Sequence, residues 1–207
     1  MTETAENISP LVSALCAMAK ETPETVNQTE LMLYRHCREG HGGETALLFE
    51  NELHTYQKVA EAAARCTGWL RNQGILPGDR IALLLPDSPV LATTYFGVLG
   101  AGAVAILLDP SLSSEDAFYS IQLCEARLAI VHNDILGRHI GLSSLPNILA
   151  VVGADTSWNR PSEFRETVSQ VKVCAHDVEI SPEGYAYGLL SSGSTGRPKL
   201  IVHRHQD

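Results

Sequence analysis

The chain has 207 residues, of which 44% are hydrophobic and 19% charged, and its mean hydropathy is close to zero. This is the composition of an ordinary globular protein, long enough for one sizeable core or two small lobes. The formal net charge is −9 at pH 7, and no basic cluster interrupts it. Nucleic acid is therefore not expected as the main partner.

The five cysteines are odd in number and widely spaced, with no C-x-x-C pair: Cys16, Cys37, Cys66, Cys124 and Cys174. This usage indicates reduced thiols in a cytoplasmic protein and no structural metal site. The first residues are acidic and polar, unlike a secretory signal, and no run of eighteen apolar residues is present. We therefore expect a cytoplasmic protein without a membrane span.

Residues 1–26 form a polar leader with a short apolar patch from Leu11 to Ala19, and residues 27–207 form the domain proper. Asn27 can cap a helix that runs to about Glu39 and stops at Gly40. The polar composition of the leader, and not a periodicity of its apolar residues, separates it from the domain.

The next segment predicts a short strand at 46–49, a turn at Asn51–Glu52 and a returning strand at 53–55. Thr55 then starts a long amphipathic helix that ends at Gly74. Its apolar stripe keeps helical spacing and consists of Val59, Ala62, Ala63, Cys66 and Leu70.

Apolar strands alternate with helices over the following residues. Strands are predicted at 81–85, 103–108, 128–131 and 148–152, and helices at 89–99 and from the capping box Ser113–Asp116 to Glu125. The polar residues 154–170 are interpreted as a surface excursion. This alternation predicts an α/β fold with a layered, mostly parallel sheet and helices on both faces.

The stretch from Gly100 to Ala105 matches G-x-G-x-x-A, a dinucleotide-binding pattern. A functional fingerprint follows a strand and opens a helix, whereas these glycines end a helix and lead into a strand. They are interpreted as a helix C-cap with a tight turn.

The stretch from Ser191 to Lys199, eight residues before the end of the sequence, combines small hydroxyls, two glycines and a lysine between two predicted strands. Backbone N–H groups in such a loop can form an anion nest, and hydroxyls and a lysine add donors suited to phosphate. The Walker A loop differs in its glycine-to-lysine spacing and opens a helix, so a P-loop is not predicted. The fold is expected to end in this phosphate-binding strand–loop–strand hairpin.

At these residues the chain resembles the adenylate-forming superfamily, which includes acyl- and aryl-CoA ligases. The match runs from Ser191 to Lys199, and the departure is Leu200, where the family usually has a glycine that helps the loop move. Further resemblances lie at 54–59, 76–82 and 99–110, and the phrases at 30–40 and 202–205 are similar to the benzoate-CoA ligase group.

The resemblance implies a reaction in which ATP and a carboxylate, of the aryl type, give an acyl-adenylate and pyrophosphate, and coenzyme A then displaces AMP. It implies that Lys199 is catalytic, offsetting charge on the leaving pyrophosphate, and that Mg²⁺ accompanies ATP. The residues implied in binding the ATP phosphates are Ser192, Gly193, Ser194, Thr195, Gly196 and Lys199. The family's remaining machinery follows the loop, so the chain is expected to be the N-terminal portion of a larger enzyme and inactive alone.

Other polar residues are expected to have structural roles. His203 and His205 share a strand face, but no further ligand follows at metal spacing, so no metal site is predicted. Asp109 is interpreted as a turn residue. The remaining interpretations are sheet-face positions for Tyr185 and Tyr187 and solvated charges for Lys58, Arg71 and Arg80.

Two functions remain open. The first is the N-terminal portion of an acyl- or aryl-CoA ligase, whose incomplete domain exposes an apolar surface through which copies self-associate. The second is a stand-alone nucleotide- or acyl-binding or interaction module that keeps the fold without catalysis.

Overall fold

The computed structural model describes residues 27–137, 141–142, 150–154, 164, 168–171, 180–191 and 198–207. The helical elements are a π-helix (Glu30–Tyr34), α1 (Arg35–Arg38), α2 (Tyr56–Asn72), α3 (Pro89–Gly100), α4 (Ser114–Leu123) and α5 (Asn133–Leu136). The strands are β1 (Thr45–Phe49), β2 (Glu52–Thr55), β3 (Arg80–Leu84), β4 (Val104–Leu107), β5 (Leu128–His132), β6 (Ala150–Ala154), β7 (Tyr185–Ser191) and β8 (Lys199–Arg204).

The main sheet has six strands in the order β6-β5-β3-β4-β7-β8, and β1 and β2 form a separate antiparallel hairpin. All neighbours in the main sheet are parallel except β7 and β8, which are antiparallel. In this order β4 lies next to β3 on one side. Strand β5, which follows β4 in the chain, lies next to β3 on the other side. The predicted fold class, a mostly parallel sheet ending in a strand–loop–strand hairpin, is confirmed.

Each central strand is buried on both faces. In β3, Ile81 and Leu83 pack into a cluster with α2 and α3, whereas Ala82 and Leu84 pack into a second cluster with α4. Successive side chains of a strand point to opposite faces, so this division places helices on both sides of the sheet. The continuous apolar run that predicted a parallel strand is explained by this double coverage.

Three helices begin after a Ser or Thr residue whose side-chain hydroxyl accepts from the backbone N–H three residues later. Thr55 Oγ1 accepts from the Lys58 N–H at 3.3 Å, and Ser88 Oγ accepts from the Leu91 N–H at 3.1 Å. Ser113 Oγ accepts from the backbone N–H of Asp116 at 3.1 Å and donates to its carboxylate at 2.7 Å. Each cap satisfies a backbone donor that the first turn leaves unpaired, and Ser113 is confirmed as the N-cap of α4.

The glycine pattern at 100–105 ends α3 rather than opening a helix. Gly102 has φ of +75°, its N–H donates to the Leu99 carbonyl at 3.0 Å, and the Ala103 N–H donates to the Val98 carbonyl at 3.1 Å. These two bonds form a Schellman C-cap, and β4 begins two residues after Gly102. The interpretation as a tight turn is confirmed.

Helices α2 and α3 approach closely at Gly97. A Cβ atom there would lie 2.5 Å from Cys66 Cβ, so a side chain has no room. Thr67 Oγ1 also donates to the Gly97 carbonyl at 2.9 Å. This close contact fixes the position of α3 against α2. Both helices pack in one cluster with residues of the sheet, so α3 is also fixed relative to the strands that it covers.

Some predicted boundaries are wrong by one or two residues. The hairpin turn lies at Glu50–Asn51, where both residues have positive φ, rather than at Asn51–Glu52. Helix α4 ends at Leu123 rather than Glu125, whereas the predicted start of β6 at residue 148 lies outside the described residues. Local patterns define an element better than its ends, because end residues depend on caps and ladder partners.

The interpretation of residues 154–170 as a surface excursion is wrong for three described positions, which are buried: Ala154, Phe164 and Val168. Phe164 is 1% exposed and meets Trp69 edge-to-face with 5.2 Å between ring centroids, and Val168 and Ala154 are fully buried. The polar composition of the segment does not indicate these buried residues, which lie on the α2 and α3 side of the sheet.

Candidate functional site

Strands β7 and β8 form an antiparallel hairpin whose connecting loop leaves from the carboxyl end of β7. Leu189 pairs with Ile201, and Ser191, the last residue of β7, pairs with Lys199, the first residue of β8. Ser191 Oγ donates to the Lys199 carbonyl at 3.5 Å. The described residues therefore fix both ends of the predicted phosphate-binding loop.

Of the sequence-predicted site residues, the structure describes Lys199 alone. Its side chain is exposed where the loop rejoins the sheet. The other predicted phosphate-binding residues, Ser192, Gly193, Ser194, Thr195 and Gly196, lie outside the described residues. Their roles stay predictions.

A cleft of about 730 Å³ lies at the carboxyl ends of the strands, beside this loop. Because successive crossovers from β3 and β4 go to opposite sides of β3, this edge is the topological switch point at which open α/β sheets bind ligands. The apolar part of the lining is supplied by Leu83, Leu85, Leu91, Leu107, Leu108, Leu112, Leu189 and Leu190. Ser191 and Pro198, on either side of the loop, also line the cleft.

The charged lining of the cleft is acidic and consists of Asp87, Asp109 and Asp116. Hydrogen bonds from the side chain of Ser111 and from its N–H, which lies 2.7 Å from Asp109 Oδ1, hold the pKa of the carboxyl below its usual value. The interpretation of Asp109 as a turn residue is confirmed. A polyphosphate in this cleft would need cationic groups, and Lys199 directly follows Pro198, which lines the cleft.

The base of the hairpin, opposite the loop, is aromatic, and His205 is its buried residue. His203 stacks on Tyr187 at 4.6 Å with 11° between the ring planes, which confirms Tyr187 as a sheet-face residue. His205 is 3% exposed, and burial lowers its pKa to about 4. Within the described ranges, no group of three His, Cys, Asp or Glu residues is arranged to hold a metal ion.

Gln28 is a residue that the sequence patterns did not single out. Its backbone N–H donates to His205 Nδ1 at 3.4 Å, and its side-chain amide donates to the carbonyl oxygens of Arg204 at 3.5 Å and of His205 at 3.4 Å. Tyr95 Oη donates to its Oε1 at 3.1 Å. No local signal could reveal these contacts, because Gln28 and His205 are 177 positions apart.

The interpretation of Arg80 as a solvated charge is wrong. Its guanidinium donates to the carbonyl oxygens of Cys124 at 3.1 Å and Glu125 at 2.9 Å and pairs with the Glu125 carboxylate at 3.1 Å. Arg80 thus binds carbonyls that the end of α4 leaves free. Arg71 is partly buried, whereas Lys58 is exposed as expected.

The described cysteines Cys37, Cys66 and Cys124 are all free thiols. Burial raises the pKa of each. Cys16 and Cys174 lie outside the described residues. Among the described helices, none is both long and apolar enough to cross a membrane.

Comparisons with known proteins identify the relatives of this chain. It is 31% identical over 186 residues to a 3-hydroxybenzoate–CoA/4-hydroxybenzoate–CoA ligase of Thauera aromatica, covering 88% of this chain and 36% of that protein. A benzoate–CoA ligase of the same organism is 28% identical over 193 residues, covering 91% of this chain and 36% of the relative. The chain thus spans about a third of the length of these relatives.

Solved structures show the same fold. The anthranilate CoA ligase AuaEII, in complex with anthranoyl-AMP, superposes with a TM-score of 0.81 at 25% identity, covering 91% of this chain and 36% of that one. The N-terminal domain of FACL13 from Mycobacterium tuberculosis superposes with a TM-score of 0.74 and shows the fold alone, with 87% of this chain covering 44% of that domain. The family model described as AMP-binding enzyme matches residues 34–207, and the chain therefore belongs to the AMP-binding enzymes, with benzoate- and hydroxybenzoate-CoA ligases among its relatives.

Proposed function

We propose that this chain supplies the ATP-phosphate-binding portion of an AMP-forming acid–thiol ligase that activates an aryl carboxylate and transfers it to coenzyme A. The observation that carries the proposal is the β7–β8 hairpin, whose loop follows the carboxyl end of β7 and is flanked by two residues that line the cleft, Ser191 and Pro198. The names of the relatives, hydroxybenzoate– and benzoate–CoA ligases, support the aryl substrate class.

In this proposal the loop binds the β- and γ-phosphates of ATP through its backbone N–H groups and the hydroxyls of Ser194 and Thr195. The substrate carboxylate attacks the α-phosphorus, and the bond from that phosphorus to the bridging oxygen of pyrophosphate breaks. Lys199, exposed at the end of the loop, offsets the negative charge that pyrophosphate gains as it leaves. The CoA thiol then loses its proton, attacks the acyl carbon and releases AMP.

Magnesium bound with ATP would neutralise phosphate charge, and the carboxylate lining of the cleft is compatible with a hard cation. The family resemblance places an acidic magnesium ligand and the adenine and acyl pockets after residue 207. The residues of this chain would therefore interact with Mg²⁺ indirectly, because they bind the phosphates that the ion neutralises. For the same reason, we expect the 207 residues alone to catalyse no exchange of pyrophosphate into ATP.

The test is AMP release by the polypeptide of the whole reading frame that contains this sequence, supplied with ATP, CoA and one acid at a time. Benzoate, the two hydroxybenzoates and anthranilate are compared with malonate and a long-chain fatty acid. We expect the aryl acids to be preferred and Lys199→Ala to lower kcat by about 10²- to 10³-fold, the cost of one charge-stabilising group.

The matched control is Lys58→Ala, because Lys58 is an exposed lysine on α2 that does not line the cleft. This variant should keep the parental kcat. ATP binding without AMP release from any acid would instead favour a binding module, and an unchanged kcat in Lys199→Ala would remove the proposed role of this lysine.

A further inference from the structure

We propose that Gln28 is a positioning residue that fastens β8, the strand that begins with Lys199, to helix α3. Each polar group of its side chain is engaged: the amide nitrogen donates to the carbonyls of Arg204 and His205, and the amide oxygen accepts from Tyr95 on α3. Its backbone N–H donates to His205 Nδ1. One side chain thus joins the end of β8 to a helix of the core.

Strand β8 needs such an attachment because it is an edge strand. It is hydrogen-bonded to β7 on one side, and no described strand pairs with its outer side. The other bonds at its end close the hairpin on itself: the His205 N–H donates to the Gly184 carbonyl at 3.0 Å, and Arg204 pairs with Glu183. These bonds join β8 to β7, which pairs with β4 in the sheet, whereas Gln28 adds a hydrogen-bonded link from the end of β8 directly to a helix.

Helix α3 is a suitable anchor, because it lies against α2 at Gly97 and covers one face of the sheet. Tyr95, which donates to Gln28, also packs edge-to-face on Tyr187 at 6.1 Å, and Tyr187 stacks on His203 of β8. Tyr95 thus links α3 to β8 twice, through the hydrogen bond to Gln28 and through the rings of Tyr187 and His203. The hydrogen bonds supply direction, which ring packing alone lacks.

The consequence for chemistry rests on the proposed function. Lys199 and Arg204 are the two ends of one six-residue strand, so a change in the tilt of β8 at Arg204 moves Lys199 relative to the cleft. Groups that stabilise developing charge lose effect when displaced by about 1 Å. Gln28 touches neither the cleft nor the loop ends, and would therefore act through the position of Lys199.

The first experiment is amide hydrogen exchange on the 207-residue chain, comparing Gln28→Ala with the parent. We expect the amides of β8 to exchange about fivefold to tenfold faster, as for the loss of one or two net hydrogen bonds, while those of β3, β4 and β5 are unchanged. Tyr95→Phe, which removes only the hydroxyl, should accelerate the same amides. The double variant should add little to Gln28→Ala, because both substitutions break one bridge.

Gln57→Ala is the matched control, since Gln57 is an exposed glutamine on α2 whose side-chain amide donates to Glu61 at 3.1 Å, far from β8 in the sheet. It should leave β8 exchange unchanged. Uniform acceleration across β3, β4 and β5 in Gln28→Ala would show that Gln28 stabilises the fold as a whole and would overturn the proposal. Exchange in β8 equal to that of the parent would also overturn it.

The second experiment uses the whole polypeptide in the AMP-release assay. Gln28→Ala and Gln28→Glu should lower kcat by about threefold to tenfold with little change in the KM for the carboxylate, because Lys199 acts on the leaving group. If both variants keep the parental kcat, the attachment of β8 does not affect catalysis, and the positioning role is overturned. If the parent releases no AMP, the proposed function fails, and the exchange data still decide whether Gln28 holds β8.

Discussion

The central strands and the β7–β8 hairpin are made of similar apolar residues but differ in how they are covered. In β3, Ile81 and Leu83 are at most 1% exposed, whereas Leu189 and Ile201, paired across the hairpin, are 40% and 48% exposed. Helices cover both faces of β3, whereas β8 pairs with a single strand among those that the structure describes. The part of the sheet that carries the candidate chemistry is thus less packed than the central strands.

The largest test of this difference is a matched pair of leucine truncations. Leu83→Ala, in the buried β3, should lower the free energy of unfolding by about 2–5 kcal/mol through lost burial and the cavity left behind. Leu189→Ala, on β7, should lower it by less than about 1.5 kcal/mol because the side chain is already partly solvated. Urea denaturation of both variants measures the two values. Similar losses would show that the hairpin packs as firmly as the central strands.

A second test uses pH to loosen the base of the hairpin. The pKa of the buried His205 is lowered to about 4 from 6.5, so between these values the unfolded chain binds a proton that the folded chain excludes. The contribution of His205 to stability is therefore complete above pH 6.5 and is lost as the pH falls toward 4. Protonation would also remove the Nδ1 acceptor that Gln28 uses.

Urea midpoints measured at pH 7.5, 6.5, 5.5 and 5 should fall with decreasing pH in the parent. His205→Gln should show a shallower fall over the same interval, since the substituted amide does not titrate. Equal slopes in the two proteins would contradict a lowered pKa at His205.

The smallest expected effect is self-association through the uncovered surface of the hairpin. Leu189 and Ile201, which pair across the two strands and share one face, are 40% and 48% exposed. We expect the 207-residue chain to form weak dimers or larger species at high concentration, and Ile201→Lys to reduce them. Sedimentation velocity across a concentration series measures this. Leu48→Lys, at an exposed leucine of β1, is the control and should leave the distribution unchanged.

Local rules correctly predicted the parts of the fold that depend on neighbours in sequence. The hydroxyls of Thr55 and Ser113 cap helices, Gly102 ends α3, and the apolar run of β3 is a buried parallel strand. Each depends on residues within about four positions, so the pattern itself contains the cause. The same holds for the strand–loop–strand setting of the phosphate loop, which distinguished it from a Walker A loop before the sheet was known.

Residues that act across the fold could not be predicted in this way. The polar composition of residues 154–170 indicates a surface segment, yet Phe164 packs on Trp69. The Arg80 side chain is expected in solvent, yet it binds carbonyls at the end of α4. No sequence pattern singles out Gln28. In each case the partner lies far away along the chain, and composition near the residue does not report it.

The sequence by itself determined the element types, the helix caps and the membership of the loop in the AMP-binding family, because these follow from short-range backbone preferences and a nine-residue motif. The tertiary structure alone decided that the loop leaves the sheet beside an acidic cleft at the switch point, and that Gln28 ties the lysine-bearing strand to α3. Strand order and long-range side-chain contacts are set by which apolar faces pack together, and no local pattern specifies that choice.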